Sequence, residues 1–294
     1  MTPLRQQMIT AMQMRGFSPR THQAYLYAIR GLAGYYRQSP DRLDQDQIST
    51  YLEYLVCERQ LSASSCRQAL HAIRFLFVQV LQRGELDVPF PIPKRPQRIP
   101  ELLTRTEVAR ILAACANRKH HMMLEVCYGC GLRVSELCHL KVNNIDGQRR
   151  LLRVTQGKGA KDRAVILTDM LLQHLRAYWQ QCRPADWLFP SSLLPDRAIH
   201  PTSIQKVYCQ AKVRAGVGRH GGIHGLRHAY ATHLLEAGLP VHQLQHLLGH
   251  SDIRTTLRYV HWLPGVAESS SPDTDLLARL EVGPWLAGLA FSKC

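Results

Sequence analysis

Along residues 1–86, apolar side chains recur every three to four positions. Tyr25, Ile29, Leu32 and Ala33 form one stripe, Ile48, Tyr51, Leu52 and Leu55 a second, and Ala69, Leu70, Ile73, Leu76, Phe77 and Val80 a third. That spacing puts each set on one helical face, and helices are predicted over about 4–14, 18–36, 47–59 and 62–82. The second opens on Ser18-Pro19, an N-cap followed by proline at the first helical position, where its missing N–H costs no hydrogen bond. Four such helices predict a small bundle, so residues 1–88 read as one helical domain.

The pattern breaks over 89–100, where Pro89, Pro91, Pro93, Pro96 and Pro100 are interleaved with Lys94, Arg95 and Arg98. Proline at this density favours an extended linker. Its cations suit a run along a phosphate backbone, and a solvated spacer explains the composition equally well. Helical periodicity resumes after Thr104-Arg-Thr-Glu107, a capping box, with helices predicted over about 104–116, 121–129 and 135–140. Residues 151–155 and 164–167 flank Gly157-Lys158-Gly159 and predict a hairpin. Further helices are expected near 170–181, 202–215, 226–237, 241–248 and 251–258. Residues 101–265 thus form a second, mixed domain, and 266–294 a tail. The predicted class is mainly α with a small β-sheet.

Charge sharpens this picture. The 294-residue chain carries a net charge of +15. There are ten basic against seven acidic residues in 1–90, twenty-five against eleven in 91–265, and two against four in 266–294. A field concentrated in the second domain favours a polyanion, and nucleic acid is the commonest. No run is long enough to span a bilayer, and the first residues, Met1-Thr-Pro-Leu-Arg-Gln-Gln, contain no apolar signal. A cytoplasmic, nucleoid-associated protein without a membrane partner is the expectation. Nine cysteines, an odd number, show no secreted-framework spacing. Cys127-Tyr-Gly-Cys130 lacks a second pair at zinc spacing, and His242 and His246 lack a third ligand. Buried small residues explain the first better than a metal does.

The candidate chemistry lies late in the chain. His224, Arg227, His250 and Tyr259 follow one another at separations of 3, 23 and 9 residues. Upstream, Gly131-Leu-Arg133 supplies another guanidinium, and Gly157-Lys158-Gly159-Ala-Lys161-Asp-Arg163 supplies further cations on a tight turn. Singly, each has an ordinary structural explanation. Together they suit displacement at a phosphodiester. Arginine forks can hold two phosphate oxygens at once, and imidazoles donate hydrogen bonds or move protons near neutral pH. A phenolic oxygen can attack phosphorus and conserve the bond as a covalent intermediate.

This set, with His224-Gly-Leu-Arg-His-Ala-Tyr-Ala-Thr-His-Leu-Leu235 through Leu247-Leu-Gly-His250 to Tyr259-Val-His261, resembles the tyrosine recombinase (phage integrase) family over roughly residues 5–265. All six positions where that family places catalytic groups hold the expected types: Arg133, Lys158, His224, Arg227, His250 and Tyr259. Gly225 departs from the acidic or polar residue that many members carry there. The resemblance implies a helical SAM-like core-binding domain and a mixed α/β catalytic domain, closing on double-stranded DNA at a specific site. It also implies a homotetramer in the synaptic complex, with accessory proteins as further partners. Tyr259 is expected to join a 3′ phosphate, held by Arg133 and Arg227. His224 and His250 are expected on the non-bridging oxygens, with Lys158 protonating the leaving 5′ oxygen. Lys161, Arg163, Lys94, Arg95 and Arg98 are expected to contact DNA. No metal or cofactor is expected, because the arginines supply the charge that Mg²⁺ supplies elsewhere. Only 60 residues lie between Arg163 and His224, which resembles compact Xer-type and transposon-borne members of mobile elements. Two alternatives share the fold or chemistry: a DNA-binding protein that no longer cuts, and a type IB topoisomerase that only relaxes.

Overall fold

Helices α1 (Pro3–Met14), α2 (Pro19–Tyr36), α3 (Gln45–Cys57) and α4 (Ala63–Arg74) build the first of two units in the computed structural model. It describes residues 2–84, 101–155 and 162–262, and the chain divides at Met1–Arg98 and Ile99–Cys294. Ser18 caps α2 by accepting from the Thr21 amide at 3.2 Å, as its place before Pro19 predicts. Asp44 and Gln47 close a reciprocal capping box on α3, at 2.8 and 3.1 Å. The stripes read from sequence meet in one core of Met8, Met12, Leu32, Ile48, Leu52, Ile73 and Leu76. One detail departs from the predicted 62–82 helix: α4 passes into a wider π-type turn over Phe75–Val80. Phe75, Leu76 and Phe77 are all buried. Consecutive residues of a regular α-helix diverge by about 100°, and the wider turn brings these three closer to one face.

The second unit opens with the Thr104 capping box on α5 (Arg105–Ala113), followed by α6 (Arg118–Gly129) and α7 (Val134–Cys138). An antiparallel sheet follows in the order β1 (Ile145–Asp146), β2 (Leu151–Val154) and β3 (Arg163–Ile166). The β2–β3 pair was legible as a hairpin. Strand β1 adds a two-residue rung, Ile145 opposite Leu152 and Asp146 opposite Leu151. Helices α8 (Asp169–Cys182), α9 (Pro201–Arg214), α10 (His224–Glu236), α11 (Val241–Leu248) and α12 (Ile253–Val260) complete the described part. α10 lies at the centre and packs against α5, α6, α11 and α12. It is buried almost all round, with Leu226, Ala229, Tyr230, Ala231, Leu234 and Leu235 inside and Arg227, Thr232 and His233 buried beside them.

Cys127 and Cys130 lie inside this core, both almost wholly inaccessible. Burial pushes both thiols up, Cys127 to about 12, which suits inert core residues. No helix among the described residues is long and apolar enough to cross a membrane.

Candidate active site

The site is assembled from four segments: the α6–α7 turn, the start of β3, the first turns of α10, and the span from the end of α11 through α12. Two glycines shape its walls. Gly131 has φ +57°, and a Cβ there would meet the Tyr230 ring at 2.4 Å. Gly249 ends α11 in the left-handed conformation at φ +61°, and a Cβ there would sit 2.9 Å from Arg163 Cδ. Both places therefore favour a residue without a side chain. Their carbonyls face arginines. Arg227 Nη1 donates to Gly131 O at 2.6 Å, and Arg133 Nη2 approaches Gly249 O at 3.4 Å.

Arg227 sits three residues into α10 and is 3% exposed. Its second nitrogen donates to Leu248 O at 2.7 Å and meets His250 Nε2 at 3.1 Å. A guanidinium can only donate, so His250 Nε2 accepts, and the ring's proton lies on Nδ1, 2.9 Å from the Thr256 hydroxyl. Burial, then Arg227, Arg133 and Arg163, push His250 down to about 4, so the ring is neutral at neutral pH. Burial and Arg133 also lower Arg227, to about 10, which leaves it charged.

Tyr259 is 4% exposed, near the end of α12. Its ring lies parallel to His250 at 6.4 Å between centroids and meets Trp262 edge-on at 5.1 Å. The hydroxyl is 3.1 Å from His228 Nδ1. Burial raises the phenol above its usual value, and the charges of Arg227 and Arg133 offset part of that rise. His224, the first residue of α10, is exposed, with its ring 6.4 Å from that of His228. Partial loss of water around the ring from neighbouring groups, then the charges of Arg227 and Arg133, lower it. The phenol's imidazole neighbour is thus His228, one helical turn beyond His224.

A carboxylate outside the sequence-predicted set organises the cations. Glu136 accepts from the Arg133 amide at 2.8 Å and from Arg133 Nη1 at 2.7 Å. It also takes both ends of Arg163, at 2.7 and 2.9 Å, and lies 3.8 Å from Arg227. Burial alone would raise this carboxyl. The bonds and charge of Arg163, then the bonds from Arg133, overturn that and hold it near 2. Three arginines in one buried place demand a counter-charge, and the Arg-x-x-Glu spacing of Arg133 and Glu136 was the available signal.

The structure brings Arg133, Arg227, His250 and Tyr259 together, with His224 on the adjoining turn. Arg163, expected on DNA, is placed against Glu136: its side chain is only 9% exposed, and its guanidinium donates to both Glu136 oxygens and to Leu247 O at 2.9 Å. Lys158, Lys161, Lys94, Arg95 and Arg98 lie outside the described residues. At Gly225, a Cβ would sit 3.3 Å from the Tyr208 hydroxyl.

A phenol enclosed beside two guanidiniums and an imidazole suits an enzyme that breaks and rejoins DNA strands through tyrosine. Known proteins of this class match along most of the chain. The phage integrase family covers residues 101–264, and the phage integrase N-terminal SAM-like domain covers residues 4–85. An inferred integrase/recombinase of Sinorhizobium fredii, y4qK, is 41% identical over 95% of this chain and 91% of its own length. The tyrosine recombinase XerA of Thermococcus kodakarensis is 34% identical over 85% of this chain and 87% of its own. A lambda integrase, solved as a tetramer bound to a Holliday junction, shares the fold with a TM-score of 0.69 at 19% identity, over 87% of this chain and 76% of that one. The chain belongs to the phage integrase family and is a tyrosine-type site-specific recombinase.

Proposed function

We propose that the protein cuts and rejoins duplex DNA at a specific site through a 3′-phosphotyrosyl link at Tyr259. One observation carries this reading: the Tyr259 phenol is enclosed beside Arg227 and His250, whose 3.1 Å contact turns two phosphate-binding groups toward one point. The Tyr259 oxygen attacks phosphorus, the phosphorus–O5′ bond breaks, and the 5′ hydroxyl leaves with a proton from Lys158. Arg133 and Arg227 neutralise the equatorial oxygens. A bound phosphate replaces the Arg227 contact to His250 with its own negative charge. That raises the imidazole, which then protonates at Nε2 and donates to a non-bridging oxygen. His224 fills the same role from the α10 N-terminus and receives the phenol's proton. Arg163 braces Glu136. Lys94, Arg95, Arg98 and Lys161 contact neighbouring phosphates.

Strand exchange requires a homotetramer on two duplexes. The tetrameric state of the lambda integrase on a Holliday junction and the helical N-terminal unit support that assembly. The test is a nicked duplex whose short 5′ fragment diffuses away after cleavage. The protein should become covalently attached to it, in EDTA as well as in Mg²⁺, and a two-site substrate should yield recombinant strands. DNA binding without an adduct identifies a protein that no longer cuts. An adduct with relaxation but no recombinants identifies a topoisomerase. Loss of cleavage in EDTA overturns the metal-free reading.

Lys158 and Lys161 are separated by replacing the bridging 5′ oxygen with sulfur, because a departing thiolate needs little protonation. Lys158→Ala should cleave normal DNA at least about a hundredfold slower and recover on the sulfur strand. Lys161→Ala should show only a salt-sensitive binding defect. Recovery confined to Lys161→Ala exchanges the two roles.

A further inference from the structure

α10 presents two histidines toward the site, and the mechanism above uses only His224. His228, one turn on, has its ring between those of His224 and Trp262, 6.4 and 5.8 Å away, the latter edge-on. It is the imidazole that reaches the Tyr259 hydroxyl. Trp262 and His250 confine the phenol ring, but ring packing constrains the hydroxyl hydrogen and the final swing of the oxygen far less than a directed hydrogen bond does.

We propose that His228 is a positioning residue for the nucleophile: its Nδ1 accepts the Tyr259 hydroxyl hydrogen and holds the oxygen in register with the phosphate held by Arg133 and Arg227. The proposal rests on Tyr259 being the nucleophile. His228 makes and breaks no covalent bond; the phenol's hydrogen, held in this hydrogen bond in the resting site, leaves for His224 when the oxygen attacks phosphorus. Its ring proton lies on Nε2, leaving the Nδ1 lone pair for the phenol. Burial, then His224 and Arg227, push this imidazole down to about 4, while the phenol lies above its usual value. A proton handed from the phenol to His228 would return at once, so the contact orients the oxygen without activating it. Orientation of this kind carries large rate factors, because a displacement of about 1 Å can cost a hundredfold.

Single-turnover capture on the nicked duplex, at saturating protein and across pH 6–9, tests this with two variants. His228→Leu fills the space without an acceptor. His228→Asn retains an oxygen acceptor at the reach of Nδ1. The leucine variant should form adduct roughly ten- to a hundredfold more slowly, by the same factor at every pH, with half-saturation for DNA within about twofold of wild type. The asparagine variant should return to within about threefold of the wild-type rate. A wild-type rate in His228→Leu overturns the proposal, as does an asparagine variant as slow as the leucine one. A deficit that changes with pH makes His228 a proton carrier, and a matching loss of DNA binding makes it a structural residue. Each of these also overturns it. If the wild-type adduct is absent or does not map to Tyr259, the nucleophile assignment itself has failed, and the two failures stay distinct.

Discussion

Tyr259→Phe should reduce covalent capture of DNA by at least about four orders of magnitude, the scale of losing a covalent nucleophile, while DNA binding stays within a fewfold of wild type. The substitution deletes one atom. Phenylalanine keeps the edge contact with Trp262 at 5.1 Å and the parallel stacking on His250. What the folded protein loses is the hydroxyl's 3.1 Å hydrogen bond to His228 and its contact with Arg227. A hydrogen bond of that kind is worth about 1 kcal/mol, so the melting temperature should fall by no more than about 4 °C for a unit of this size. Gel-shift titration, denaturing-gel capture and thermal melting read the three quantities separately. An adduct that persists in Tyr259→Phe would move the nucleophile elsewhere. Unfolding or loss of DNA binding would reduce Tyr259 to a packing residue.

Elements with a local signature were legible in the sequence. Ser18-Pro19 and Thr104-x-x-Glu107 announce helix starts in adjacent residues, and the segments that form β2 and β3 flank the glycine-rich run Gly157-Lys158-Gly159. β1 is two residues long, too short for any periodicity. The π-type turn at Phe75–Val80 lies within an apolar run that reads equally well as continuous helix. The proposed catalytic set stands out in the sequence because six residue types at fixed separations carry information that no one of them carries. The surroundings of that set depend on long-range convergence. Glu136 looks like an ordinary helix-start carboxylate until Arg163, 27 residues away, and Arg227, 91 residues away, fold against it. Arg163 looks like an ordinary strand-end cation until Glu136, 27 residues before it, and Leu247 O, 84 residues after it, accept from its guanidinium. His228 differs in sequence from any other helix histidine only through where α12 sets Tyr259.

Glu136→Gln should destabilise the second unit by about 3–5 kcal/mol, the cost of leaving buried charge uncompensated. That corresponds to a melting temperature lower by on the order of 10 °C. The wild-type carboxylate accepts from Arg133 and from both ends of Arg163, and lies 3.8 Å from Arg227. Glutamine keeps the shape but presents one N–H₂ group to guanidiniums that only donate, and it removes the single negative charge among three positive ones. Cleavage should fall as well, because Arg133 and Arg163 lose the anchor that sets their forks. The double variant Glu136→Gln/Arg163→Met should recover part of the lost stability by removing one unpaired cation, a non-additivity visible in a double-mutant cycle. The wild-type advantage should also depend on pH with a definite sign. A carboxyl held near 2 when folded and near its usual 4.5 when unfolded contributes fully above about pH 4.5 and loses its contribution as the pH falls toward 2. The difference between wild type and Glu136→Gln should therefore be flat from pH 5 to 8 and shrink below that range. Urea unfolding of both proteins at several pH values measures it directly. Equal stability at pH 7 would mean that the arginines find their counter-charge elsewhere.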